Sequence, residues 1–537
     1  MSATGSGGVT RRTPGARRRR VLGAAAGAAG AAGLLGAGAL GAGAQSLIQD
    51  ELHIVSARIA PGLDPTHEFS DAVATYMRAA GAAEALLRVT PGADVDVDLA
   101  SAYEMLDPNT WRVSLRPNAT FWSGRPVDAA AVVESLERSR SRAAPAAALL
   151  AGVRVEADGD LAVRFQAETP IPGLPLNIAN EWLAIHNARS YGPAINSFDV
   201  GAADLTGPFR ITAFEPGQRM GLVRNERHWG VQPRMARVRI EEVADNEARD
   251  FAAIAGEAHS VGTIASSVAG QIERGRAMRL VSATNASTGM VYLNTQKPPF
   301  DDVRVRQALA WGVDREEMVE LAHDGRGTPY PSWLAAHPGY PEAKRVGYTR
   351  YDPQRAAQLL DEAGWRLPAG GRTRARDGAP LKFRLYWFGL NRPQAEVLQA
   401  QWGKLGAEVE VQGTVDAAFT RQRRADNDWE AFIEQWNTVG DIAVVLNRHV
   451  GADGTLNYAR FRDARLDSLL AGFNELVDPD ARRDLALQIN ARQAEVVPFV
   501  PIASQDRLTA VGLNVRNYIP HFTPWVYEVH PDLWVAV

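Results

Sequence analysis

Two hydrophobic periods alternate along the chain. Trp111-Arg-Val-Ser-Leu115 and Leu161-Ala-Val-Arg-Phe165 carry apolar side chains at every second position, the pattern of a half-buried strand, and Leu52-His-Ile-Val-Ser56 reads as a first strand. Phe209 to Phe214 and Gly221 to Arg224 predict a hairpin pair, with Pro216-Gly217 as its turn. Asp128 to Leu136 opens on a capping residue and predicts a helix. Asp352 to Gly364 predicts another, with an Asp cap, Pro at its first position, an apolar face and a terminal Gly. The apolar strand Met290-Val-Tyr-Leu293 runs into a turn with Pro298 and Pro299, and a helix opens near Asp301 and Asp302, acids that suit the positive end of a helix dipole. The mixture predicts an α/β protein.

At 537 residues the chain is too long for one hydrophobic core, so two or three domains are expected. Hydrophobic residues at 46% and charged residues at 22% are ordinary for a soluble globular protein. The absence of cysteine excludes disulfides, a cysteine nucleophile, Cys-ligated zinc, iron–sulfur clusters and a lipid anchor on an N-terminal cysteine. The ten histidines and many acids fall in no metal or triad spacing, and Gly124 and Gly207 stand in isolated turns rather than in a phosphate-binding loop.

The N-terminus has a different composition. Arg11, Arg12 and Arg17 to Arg20 precede a weakly apolar Ala/Gly/Leu run from Val21 to Ala44, which ends in the small-x-small pattern Ala42-Gly43-Ala44. Arg18-Arg19-Arg20-Val21-Leu22 resembles a twin-arginine export signal, with Val where Phe is commoner. Cleavage near Ala44 and a periplasmic or exported protein are expected; retention as a single membrane anchor is the alternative, which the Gly- and Ala-rich composition disfavours. Losing the six arginines of this segment moves the formal charge from −4 to −10. A mildly acidic mature chain argues against nucleic acid as a partner.

Five blocks in order resemble one family, the extracytoplasmic solute-binding proteins of oligopeptide, dipeptide and nickel ABC importers. They are Leu99 to Glu104 with Trp111 to Asp128; Thr206-Gly-Pro-Phe209 with Val223 to Trp229; Asn294 to Val319; Tyr351-Asp-Pro through Trp365; and Asn457-Tyr458, Asp467 and Val497-Pro-Phe-Val-Pro-Ile502. The resemblance implies a two-lobed type II periplasmic-binding-protein fold, with ligand enclosed between lobes joined by crossing strands. Lobe one is expected at about 46–280 plus 490–537, with an extra subdomain at about 85–190, and lobe two at 281–489. It further implies a monomer with no bound cofactor that hands a peptide or peptide-sized polar solute to permease subunits.

Within that frame Asn225, Trp229, Arg304, Arg306 and Asp314 are expected to fix turns, ion pairs and packing, and the pocket is expected in variable loops. Trp436 stands where relatives end an apolar strand in Trp; it either stacks on ligand or fills the core. Asp441 matches an acid common in the following loop, with helix capping as its other role. Peptide-binding relatives commonly carry an aspartate three residues after the Trp, paired with the peptide ammonium. Here Val439 occupies that place, so peptide capture needs Asp441, Glu434 or Glu68 as a substitute. His67 and Glu68 follow a loop that lines the cleft in relatives, and Tyr386, Trp387 and Phe388 cluster after a lobe-two strand.

The nickel branch is the alternative, because Glu362 to Gly370 and Asp377 to Leu381 resemble it. His449 falls near that branch's histidine, five residues early, and Glu181-Trp182-Leu-Ala184 replaces an arginine-containing pocket stretch, which makes Trp182 a candidate lining residue. A ligand sensor and a hydrolase complete the alternatives.

Overall fold

The structure is a computed structural model and describes residues 48–67, 73–192, 198–283, 287–345, 350–388, 391–414, 417–437, 441–520 and 529–537. The N-terminal segment 1–44, Glu68 and Val439 lie outside the described residues.

Three large sheets organise the chain. The expected first strand is Glu51–Ser56, and it sits at the centre of a seven-stranded sheet, parallel to Arg237–Glu242 on one side and to Ser260–Gly262 on the other. The predicted hairpin, Phe209–Glu215 with Arg219–Arg224, forms one edge of this sheet, and its turn closes through Gly217 in the left-handed region at φ 68°. Between the first strand and this hairpin the chain builds an antiparallel four-stranded sheet, in the order 100–107, 110–115, 162–167, 153–157. Its core runs from Leu86 to Ile185 and includes Phe121, Val132, Leu136, Val163 and Phe165.

The third sheet has five strands, in the order 408–414, 382–388, 431–437, 287–293, 499–501. Strand Ser287–Leu293 is buried along its whole length because both faces are covered. One face packs on the helices around Leu309, Leu359, Leu398 and Trp402, and the other on Trp333, Leu446, Phe473 and Ile489. The predicted helix caps form here: Asp302 caps Val303–Trp311, and Asp352 caps Pro353–Glu362 by accepting from the Arg355 amide.

The chain passes between the seven- and five-stranded halves twice, from Ala283 to Ser287 and from Pro501 to Arg507. At the crossings Ser282 Oγ donates to Asp506 (2.7 Å), and Arg326 pairs with Glu273 (2.9 Å). The second crossing comes later than position 490, where it was expected. The helix Pro479–Val496 runs on without a break, and Phe499–Pro501 pairs with the strand Ser287–Leu293. Arg306 adds to this tie: its buried guanidinium donates to the carbonyls of Val496 (2.7 and 3.1 Å), Val497 (3.0 Å) and Phe300 (2.8 Å), which joins residues 496–497 to the five-stranded half.

Candidate functional site

At the edge of the five-stranded sheet, Tyr386, Trp387, Phe388, Arg423, Arg424 and Phe432 line a shallow depression that encloses only about 20 Å³ in this conformation. The three aromatics expected after a strand lie within it, in Lys382–Phe388, and pleating sends Tyr386 and Trp387 to opposite faces. Trp387 pairs in register with Gly413, and its indole lies where a side chain would stand: a Cβ at 413 would fall 2.3 Å from the ring. Arg423 lies over the Tyr386 ring, 5.2 Å from its centre, and donates to the Tyr386 hydroxyl (3.2 Å). Arg424 stacks on Tyr458 (4.5 Å) and Phe432 (5.1 Å) and pairs with Glu434 (3.1 Å).

The Glu434 side chain is 30% exposed, yet burial in this concave wall pushes its carboxyl up, and the Arg424 charge only partly opposes that. Arg423 pairs likewise with Asp428, so the wall offers aromatic faces and two guanidinium groups, each backed by a carboxylate beside the depression. That set matches a polar molecule carrying both charges and some apolar surface.

Phe432 links this wall to a buried network that unites Trp436 and His449. Phe432 stacks on Tyr292 at 5.0 Å. The Trp436 Nε1–H donates to the Tyr292 hydroxyl (2.9 Å), which leaves the Tyr292 proton to be donated to His449 Nδ1. Trp436 is fully buried, with His449 at 4.3 Å and Phe499 at 4.5 Å between ring centres, and it packs as a core residue in this conformation. Burial, with Arg448 nearby, lowers the His449 pKa to about 3, so the ring is neutral at pH 7. With Nδ1 accepting, the ring proton sits on Nε2. Metal ligation through Nε2 would cost this tautomer and the Tyr292 bond.

Asp441 caps the helix Ile442–His449 by accepting from the Ala443 amide (3.0 Å), and it takes a two-point contact from Arg482 (2.8 and 3.0 Å). All its charge is engaged within the protein.

The other candidates belong to the rest of the chain. Half-buried Trp182 lies in the short turn of helix Glu181–Leu183, against the four-stranded core. His67 closes a turn whose amide donates to the Asp64 carbonyl (3.0 Å). Asp64 is fully buried and anchors this loop: Arg138 grips both its oxygens (2.7 and 2.8 Å), and Thr66 adds two hydrogen bonds.

Ser135 and His186 approach to 3.1 Å, the closest arrangement to a hydrolase pair in this region. Both are fully buried. Burial holds the His186 pKa near 4, and Arg138 donates to Nε2 (3.4 Å), so the proton lies on Nδ1. Nδ1–H donates to the Ala184 carbonyl (3.2 Å) and faces the serine oxygen, so it cannot take the serine proton. Asp64, the nearby carboxylate, serves Arg138 instead.

Arg423 and Arg424 are not among the residues the sequence singles out for the pocket, where only the loss of an arginine-containing stretch at Glu181 to Ala184 stands out. They lie in Ala417–Ala425 among other charged residues, and the linear pattern does not separate them from a solvated helix face. Among the motif residues, Asn225 Nδ2 donates to Gly207 O, Trp229 Nε1 donates to Glu84, Arg304 pairs with Asp302, and Asp314 caps Arg315–Ala322.

Two α/β halves joined by paired strand crossings, with an extra sheet inserted before the crossing, define a type II periplasmic-binding-protein fold. Residues 94–451 match the bacterial extracellular solute-binding proteins, family 5, middle region, and the chain belongs to that family. Over 355 residues it is 26% identical to the nickel-binding periplasmic protein of Escherichia coli (strain K12), covering 62% of this chain and 66% of that protein, so it spans just under two thirds of that relative's length. Among solved structures, NikA from Brucella suis in complex with Fe(III)-EDTA is similar with a TM-score of 0.80 at 23% identity, covering 90% of this chain and 99% of that one. The oligopeptide-binding protein AppA from Bacillus subtilis, in complex with a nonapeptide, gives a TM-score of 0.71 at 23% identity, covering 91% and 99%. No helix among the described residues is long and apolar enough to cross a membrane.

Proposed function

We propose that the protein is the solute-binding subunit of an ABC importer, exported through its twin-arginine-like signal. It takes up a peptide or peptide-sized polar solute between its halves and delivers it to permease subunits as a monomer. The observation that carries the solute class is the aromatic wall with Arg423 and Arg424, with Glu434 beside it as the acid that would receive an ammonium group. Glu434 takes the place that Val439 leaves vacant for an ammonium group. Trp387, Tyr386 and Phe432 supply the apolar faces, while Trp436 and His449 back Phe432 through Tyr292 and Asp441 stands apart at the start of its helix.

The metal-chelate reading draws on the nickel and Fe(III)-EDTA proteins that this chain resembles, and on the guanidinium groups, which suit an anionic chelate. A thermal-shift panel of tri- to nonapeptides, nickel(II) with L-histidine and Fe(III)-EDTA separates the two. A binder at a hundred times its Kd adds about 2.7 kcal/mol of stability. Arg424→Ala should abolish the shift by the binding class while retaining the fold. No shift by any of these probes, with native mass spectrometry showing no co-purified solute, refutes the reading.

A further inference from the structure

Gly173 precedes the short helix Leu174–Ile178 in the four-stranded subdomain, and its backbone is ordinary, at φ −82° and ψ 0°. Any residue adopts that conformation, so backbone freedom does not explain a glycine here. Space does. A Cβ at 173 would stand 1.7 Å from Asp441 Oδ2, 2.7 Å from Cγ and 3.2 Å from the Asp441 Cβ.

Asp441 belongs to the five-stranded half, where Ile442 and Leu446 of its helix enter the core. A free carboxylate would swing away from an added methyl group. This one is held by the Ala443 amide at one oxygen and by Arg482 at both. Arg482 is itself fixed, lying over the Phe473 ring at 4.2 Å and donating to the Phe473 carbonyl (3.4 Å). Moving the carboxylate breaks the cap and the ion pair together. The backbone of one half therefore rests on a rigid carboxylate of the other, and both Gly173 and Asp441 are buried.

We infer that Gly173 and the Asp441–Arg482 pair form the seat on which the two halves meet when the protein closes, and that a glycine at 173 sets how far closure goes. The inference rests on the two-half binding-protein reading. Solute affinity scales with the fraction of molecules that reach the closed form. A side chain at 173 lowers that fraction without touching solute, so Gly173 is a positioning residue and Asp441 acts through it rather than on the ligand.

The chain has no cysteine, which permits a trapping experiment that needs no solute. In Gly173→Cys/Asp441→Cys the two Cβ positions are 3.2 Å apart, a few tenths of an ångström short of the roughly 3.5–4.5 Å of a disulfide. Oxidised glutathione should convert the two thiols to one internal disulfide, releasing two reduced glutathione molecules, each time the halves close. The expected result is loss of both titratable thiols from a monomer with native far-UV circular dichroism and a smaller radius of gyration than the reduced form. The single variants should form only mixed disulfides.

A folded double variant that keeps both thiols, or takes up glutathione on each, overturns the inference whatever the solute proves to be. Gly173→Ala gives a second readout without altering Asp441. It should keep the wild-type melting temperature and bind a tripeptide pool or nickel(II)–histidine, whichever the wild type binds, at least tenfold more weakly. Wild-type affinity in Gly173→Ala also overturns the inference.

Discussion

Replacing Asp64 by Asn removes one negative charge from the loop that carries His67 and leaves its shape almost unchanged. The carboxylate is fully buried, and the Arg138 side chain that grips it is 11% exposed. Burial alone would raise the Asp64 pKa. The Arg138 hydrogen bonds and charge, with the two bonds from Thr66, outweigh it and lower the value from 3.8 to about 2. At 1.36 kcal/mol per unit, that depression is worth about 2 kcal/mol of folding stability. The folded pKa lies below the unfolded one, so the contribution is complete above pH 4 and is lost as the pH falls through 2.

Asp64→Asn forfeits this and also strands the Arg138 guanidinium beside the Tyr191 ring, 4.7 Å from its centre, with a neutral amide in place of its partner. Breaking one side of a buried pair typically costs ~3–5 kcal/mol. Urea titration at pH 7 should show that loss. Between pH 4 and 2 the variant should lose less stability than the native chain, because this carboxylate is absent. A loss below about 1 kcal/mol at pH 7, or an acid limb parallel to the native one, would refute the view that Arg138 and Asp64 pin the loop.

The buried histidines should be silent in the physiological range. With pKa values held near 3 and 4 by burial, His449 and His186 remain neutral, so their ring signals in NMR should not move between pH 5 and 8. Each contributes stability that is present above the unfolded pKa of 6.5 and falls away as pH drops toward the folded value; replacing His449 by Phe should flatten that decline, and an unchanged slope would count against it. Gly413→Ala should push the Trp387 indole off its strand neighbour, since the new methyl would lie 2.3–2.5 Å from the ring; Gly413 is exposed and the indole half-buried, so the ring shifts at a cost within about 0.5 kcal/mol. Tryptophan fluorescence and the melting temperature report it, and an unperturbed spectrum would show that the indole does not rest on Gly413.

What the sequence determined by itself is local. Alternation marks the strands at 110–115 and 162–167, and Asp302 and Asp352 announce their helices, because a cap and a pleat depend only on residues a few positions apart. The ordered motif blocks carried the family for a related reason: turns and caps recur wherever the same local geometry does. The tertiary structure decided everything that depends on distant partners. Arg306 could be read as a motif residue, but only the fold shows that it holds residues 496–497 against the five-stranded half. Arg423 and Arg424 come together over aromatic faces only once Tyr386, Phe432 and Tyr458 are brought beneath them. Gly173, directly after Pro172, reads along the chain as a turn glycine. Its φ of −82° and the carboxylate of Asp441 show that it is small because the other half of the protein comes to rest there. Such contacts leave no period or spacing in a sequence, since the residues that meet are joined only by folding.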